Sequence, residues 1–288
     1  MKKSVSEFVT LQGIRHHVRT WGEPDAPLLM FLHGWGDISA SWQFIVDALQ
    51  QDWRILAPDW RGCGLSEWVN RAYYFPDYLL DMDALVEHYS PGKPVSLVTH
   101  SMGANVACLY AGIRPDRVAK LVNLEGMGLP QRSADDAPRT FLKWLDQMRI
   151  APTFRHYNNR EELAERLRKD NPRLTPERAS FLSMHLGLDD PKGGISTGLD
   201  PYHRYLNPVL YRVDEAKACW RRVTAPVLSV TAEQSVLFQT FFTPESEDYR
   251  SRIACFPNIR EVRLEDCGHN MHHDQPERLA QLIEEFLC

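Results

Sequence analysis

The hydrophobic positions of this chain follow two alternating patterns. PLLMFLHG (27–34), WRILAPD (53–59), PVSLVTH (94–100), VAKLVNLE (118–125), APVLSVTAE (225–233) and IREVRLED (259–266) are short apolar runs ending in a turn or polar residue. Their length and β-branched or Leu-rich content predict strands. Between them lie SASWQFIVDALQQ, FPDYLLDMDALVEHY, MGANVACLYAGI and PERLAQLIEEFL, whose patterns predict helices. In the last, Leu279, Leu282, Ile283 and Phe286 recur at i, i+3, i+4 and i+7, one buried face. Pro276 suits its first turn. Alternating strands and helices predict an α/β fold: a mostly parallel sheet with helices on both faces. EFVTLQG and IRHHVRTWG add a hairpin edge with Gly13 near the turn.

One region breaks the alternation. From about Leu129 to Ala216 the pattern offers no buried strand, only the helical segments FLKWLDQMR, EELAERLRK, PERASFLSMHL and VLYRVDEAKACW, joined by links such as DDPKGGISTGLDP. The expectation is a core formed by residues 1–128 and 217–288, with 129–216 as a helical insertion. No repeat or low-complexity tract interrupts the chain.

Charge removes several function classes. The 33 basic and 38 acidic residues give a net charge of -5 and are spread along the chain, so no basic stripe points to nucleic acid. No apolar stretch is long enough for a membrane span. The basic start MKKSVSEFVT leads into no apolar run, as a secretory signal would. The six cysteines lie far apart with no CxxC pair, which predicts free thiols and a cytoplasmic protein.

The candidate chemistry starts at VTHSMGAN (98–105). Ser101 follows a predicted strand and precedes a predicted helix, where a sharp turn would expose its Oγ at the carboxyl end of the sheet. Gly103 suits that turn, because a side chain there would meet packed backbone. Thr99 stands where a Gly-x-Ser-x-Gly motif would place its first glycine. A helix-capping serine is the competing reading. HGWGD (33–37) ends another strand and offers backbone N–H groups at the same edge. Trp35 and Met102 are the candidate donors for an oxyanion. In LEDCGHNMHHDQPE (264–277), Gly268 permits a turn that brings His269, a candidate general base, to that edge. His269 and His273 are four apart, but no acidic or cysteine partner stands at ligand spacing. No metal site and no cofactor is therefore expected.

With these elements in order, the chain resembles the α/β-hydrolase superfamily over nearly its whole length. HGWGD resembles the family's oxyanion loop, APDWRGCGLSEW the loop after its next strand, THSMG its nucleophile elbow and CGHNMHHDQPE its histidine loop. The resemblance implies a cap where the helical insertion falls. It also implies a triad acid, usually an aspartate after the seventh strand. Here that segment reads TAEQSVLF, with Ser235 at the equivalent position and no aspartate. The family's other acid site follows the sixth strand, as in certain haloalkane dehalogenases, and Glu125 of KLVNLEGMGLP stands there. Glu233, Asp59 and Asp266 are the other carboxylates near the expected edge, with Asp59 read as fixing its own loop by pairing with Arg61.

A serine nucleophile excludes the aspartyl-ester chemistry of dehalogenases and epoxide hydrolases. The expectation is an acyl-enzyme route through Ser101, His269 and Glu125 on a small-molecule ester or related acyl compound. A carbon–carbon bond hydrolase of the same fold and a non-catalytic ligand-binding member are the alternatives. The aromatic and Met residues of FLKWLDQM, FRHY, FLSMHL and YHRYL could line an apolar pocket or form helix core. The many arginines of the insertion could attract an acidic substrate or be solvated.

Overall fold

The computed structural model describes all 288 residues. The chain opens with β1 (Val5–Leu11) and β2 (Ile14–Trp21), an antiparallel hairpin. Gln12 and Gly13, both at positive φ, form its two-residue turn. Then come β3 (Leu28–Leu32), α1 (Gln43–Ala48), β4 (Arg54–Pro58), α2 (Phe75–Tyr89), β5 (Val95–His100), α3 (Met102–Ile113) and β6 (Val118–Leu124). A long excursion follows: α4 (Ala137–Gln147), β7 (His156–Tyr157), α5 (Arg160–Asp170), α6 (Pro176–Leu186), β8 (Gly187–Asp189) and β9 (Ile195–Thr197). The chain returns through α7 (Val213–Trp220), β10 (Val227–Ala232), α8 (Val236–Phe241), α9 (Glu247–Ile253), β11 (Ile259–Leu264), α10 (Met271–Asp274) and α11 (Pro276–Leu287).

The main sheet has eight strands in the order β1-β2-β4-β3-β5-β6-β10-β11. It is parallel from β4 to β11 and antiparallel at the β1, β2 and β4 pairings. Both faces are covered over the central strands β3, β4, β5 and β10, which explains their nearly unbroken apolar runs. Along β3, Met30 and Leu32 join the core beneath α2, α3 and α7. Leu29 and Phe31 join the opposite core with Ile45 of α1 and Leu279, Leu282 and Ile283 of α11. Parallel pairing sets the carboxyl ends of β3, β5, β6, β10 and β11 along one edge, where the loops carrying the candidate chemistry emerge.

Between β6 and β10 the structure differs from the helices-only pattern. β7, β9 and β8 form a small antiparallel sheet, with Gly193 and Gly194 at positive φ in the turn joining β8 to β9. Strands of two or three residues are too short to leave a period-2 signature. α5 packs on α6, and α6 meets the core through Leu182 and Ala179 beside Phe44. α7 lies against α3, where a β-carbon on Gly112 would fall 1.9 Å from the Cys219 carbonyl oxygen. No helix is long and apolar enough to cross a membrane, and none of the six cysteines is bonded to another.

Candidate active site

Ser101 sits between β5 and α3 with φ +51° and ψ −114°, a conformation non-glycine residues rarely adopt. Such strain costs on the order of 1–3 kcal/mol and persists only where the surroundings fix it. Here the Ser101 N–H donates to the Leu124 carbonyl at 2.8 Å, and the Ser101 carbonyl accepts the Asn105 N–H at 3.0 Å. Gly103 lets the turn press on β3: a β-carbon there would lie 2.5 Å from the Leu32 oxygen and 2.6 Å from that of His33. Ser101 Oγ makes no capping bond to α3. The departure at Thr99 has a structural answer. Thr99 is fully buried on β5, and its hydroxyl donates to the Val122 carbonyl of β6 at 2.8 Å.

Glu125 follows β6, also at positive φ, +55°. Asn123 holds the turn beyond it, accepting from the Gly126 N–H at 2.7 Å and donating to the Gly126 carbonyl at 3.1 Å. The Glu125 side chain is 1% exposed and ends at His269 Nδ1, 2.6 Å from Oε2. Oε1 accepts the Ala232 N–H at 2.8 Å and Oε2 the Ser235 hydroxyl at 2.7 Å. Glu125 is therefore the carboxylate that His269 meets. Glu233 sits on the loop after β10, where its main chain bonds Leu264 and Gln239. Asp266 is exposed and accepts from Gln234. Asp59 does fix its own loop, but not through Arg61. It accepts from the Ser39 and Leu65 N–H groups and pairs with His17 at 2.7 Å. Arg61 instead forks onto Asp81 at 2.5 and 2.6 Å.

Ser235 is the residue that sequence reading undervalued. Its hydroxyl donates to Glu125, the carboxylate that His269 meets. It also caps α8 by accepting the Phe238 N–H at 3.1 Å, and that capping role is all its local sequence could signal.

The loop carrying Trp35 closes on the same corner. His33 accepts the Trp60 N–H through Nε2 at 3.0 Å and therefore donates from Nδ1 to the Gly34 carbonyl at 2.8 Å. A β-carbon on Gly34 would lie 2.9 Å from His100 Nδ1 and 3.1 Å from the Ser101 Cβ, so glycine allows the loop to approach the serine. Trp35 itself is half-exposed, and Met102 opens α3.

Behind His269 lies a buried imidazole cluster. His100 donates from Nε2 to the His269 carbonyl at 2.9 Å, and its ring centre lies 4.6 Å from those of His269 and His272. The His273 ring lies tilted beside that of His272, with centres 4.0 Å apart. Burial, reinforced by neighbouring imidazoles, holds the His100 pKa well below its ordinary value and lowers that of His273 to about 3. Burial would raise the Asp37 carboxyl, but its hydrogen bond from His272 and the adjacent imidazoles outweigh that and hold it below the usual range.

These shifts set a sign for stability. The folded chain keeps His100 and His273 neutral where the unfolded chain protonates near pH 6.5. Stability from this source is full above 6.5 and is lost as the pH falls below it, in the case of His273 down to about 3, at on the order of 1 kcal/mol per pH unit. The urea midpoint is expected to hold steady above neutrality and fall steadily below it, with a shallower fall in His273→Gln. An identical slope in the variant would remove His273 from the account.

A cavity of about 250 Å³ lies between Ile38, Ser39, Gly64 and Leu65 of the core and Met184, His185 and Leu188 of the excursion. None of Ser101, Glu125 and His269 lines it.

A family model described as alpha/beta hydrolase fold matches residues 27–276. The chain is 29% identical to a serine hydrolase-like protein of Danio rerio, over all of this chain and 90% of the relative. It is 26% identical to a serine hydrolase-like protein of Dictyostelium discoideum, over 96% of this chain and 79% of that one. Among solved structures it is similar to a thioesterase domain from the curacin biosynthetic pathway, with TM-score 0.87 and 25% identity over 98% of this chain and 99% of that one. A hypothetical protein from Pseudomonas aeruginosa PAO1 gives TM-score 0.83 and 26% identity over 98% and 97%.

Proposed function

The chain belongs to the α/β-hydrolase fold family, and from that premise we propose that it is a serine hydrolase cleaving a carboxylic ester or related acyl compound. The observation carrying this reading is the 2.6 Å pairing of His269 with a buried Glu125 at the sheet edge where Ser101 stands on its strained turn. Ser101 Oγ attacks the acyl carbon while His269 Nε2 takes its proton. Glu125 holds Nδ1–H, fixing the tautomer and stabilising the imidazolium. The Trp35 and Met102 N–H groups receive the oxyanion. His269 returns the proton to the leaving group, and water then releases the acyl group by the same route. Thioesters belong to the substrate class, in keeping with the likeness to a thioesterase domain.

The excursion from 129 to 216 serves in this reading as the cap. Its cavity-forming contact with the loop after β3 supports that placement. Its arginines are a poor trap for an acidic substrate, because Arg132, Arg139, Arg149, Arg155, Arg166 and Arg212 pair with carboxylates of their own segment.

A fluorophosphonate probe tests the reading: the folded protein is expected to be labelled at Ser101 and to turn over activated esters with a burst. Folded protein that is never labelled would refute it. Ser235→Ala removes one of the bonds that orient Glu125 and should lower kcat about 10-fold with KM little changed, since each such bond contributes about 1.5 kcal/mol to the carboxylate's placement. An unchanged kcat would reduce Ser235 to the cap of α8.

A further inference from the structure

We propose that Asp37, His100 and His272 form a binding site for a divalent transition-metal ion of the zinc type, and that the bound ion inhibits the hydrolase. The inhibition rests on the acyl-transfer reading above; the binding does not. Asp37 lies on the loop after β3, His100 ends β5 and His272 stands on α10; the three share no ligand spacing in sequence, and the pair that did, His269 and His273, is not part of the set. One ligand atom from each lies within 4.8 Å of the others.

The chemistry of the donors fits. Two imidazoles and one carboxylate suit zinc and its neighbours rather than calcium or magnesium. His272 Nε2 and Asp37 Oδ2 are 3.2 Å apart, close to the roughly 3.3 Å that separates two ligands on a tetrahedral ion with bonds of about 2.0–2.1 Å. His100 is 2% exposed, and its Nδ1 has no hydrogen-bond partner. Its Nε2–H is committed to the His269 carbonyl, which leaves the lone pair on Nδ1. That is the outer-shell arrangement that prepares a histidine for a metal. The Asp37 carboxylate is oriented likewise, by the Ile38 N–H at 2.8 Å and the Ser41 hydroxyl at 2.7 Å. Coordination through His272 Nε2 moves its proton to Nδ1, which is also without a partner, so no proton need leave the site.

Inhibition follows from where the ligands stand. His100 adjoins Ser101, His272 lies three residues after His269, and Asp37 two after Trp35. Gathering them around one ion draws on the segments next to the nucleophile, the base and an oxyanion donor. A displacement of about 1 Å in such groups can cost on the order of 10²-fold in rate. The ion's charge, behind an imidazole whose ring centre is 4.6 Å from that of His269, also opposes the imidazolium that forms during acylation.

Cobalt titration of the chelator-treated protein reads the site directly. One equivalent of Co²⁺ is expected to give the visible band of a four-coordinate nitrogen and oxygen site, displaced by zinc and lost in Asp37→Asn and His272→Gln. Absence of the band, its survival in folded variants, or a thiolate charge-transfer band in the wild-type protein would overturn the site, and the last needs no variant to fold. Zinc should lower ester turnover of the wild-type protein about 10²-fold at saturation, reversed by a chelator. Full activity with the site occupied would overturn the inhibition. If the metal binds while no ester is turned over even without it, the failure falls on the acyl-transfer reading instead.

Discussion

Ser101→Ala is expected to lower kcat for an activated ester by about 10⁶-fold, to the level left by binding and the oxyanion donors alone. The protein should fold as before. Ser101 Oγ caps nothing in α3, so its removal takes no helix-stabilising bond. The strained turn is held by main-chain bonds to Leu124 and Asn105 and by the bare approach of Gly103 to β3. Alanine keeps the same Cβ at the same φ, so the strain cost is unchanged. A melt matching wild type, with turnover and fluorophosphonate labelling both gone, is the predicted pair of results. Turnover at more than a few per cent of wild type in a pure sample would move the nucleophile elsewhere.

The second large effect belongs to Glu125→Gln. Oε2 takes both the His269 Nδ1–H and the Ser235 hydroxyl, while Oε1 takes the Ala232 N–H. An amide can satisfy only one side of this arrangement. With its oxygen on Ala232, its NH2 faces His269, and Nδ1 must become an acceptor, which puts the proton on Nε2 where the base has to be empty. kcat is therefore expected to fall about 10³- to 10⁴-fold, with KM little changed. Glu233→Gln, on the loop beyond β10 with no hydrogen bond or ion pair to His269, should change kcat less than about 2-fold. The reverse ranking would place the acid after β10.

Much of this was legible in the chain because it is local. Six apolar runs of strand length and four helical patterns fall on β3 to β6, β10 and β11, and on α2, α3, α11 and the stretch around α1. Their hydrophobic periodicity needs no information from beyond a dozen residues. What stayed illegible was non-local. The short strands β7 to β9 exist only as one another's partners. Asp59 has Arg61 two residues away, yet binds His17, because β2 runs antiparallel beside β4 and sets its imidazole there. Thr99 departs from the glycine motif on paper. On β5 it is an ordinary strand residue whose hydroxyl finds a carbonyl on β6.

The order of strands and helices, the turn at Ser101 and the histidine loop all follow from short stretches whose glycines and apolar spacing leave few alternatives. The partner of His269 does not. Glu125 and Glu233 both follow apolar strands; the family resemblance favours Glu125, but no local pattern fixes the contact. The choice comes from the sheet: β6 and β10 pair in parallel with Leu124 opposite Val230, and the Glu125 N–H bonds the Val230 carbonyl. That register carries the Glu125 carboxylate under Ala232 and Ser235 to the ring of His269. A contact between groups 144 residues apart is fixed by register and packing, which only the folded chain possesses.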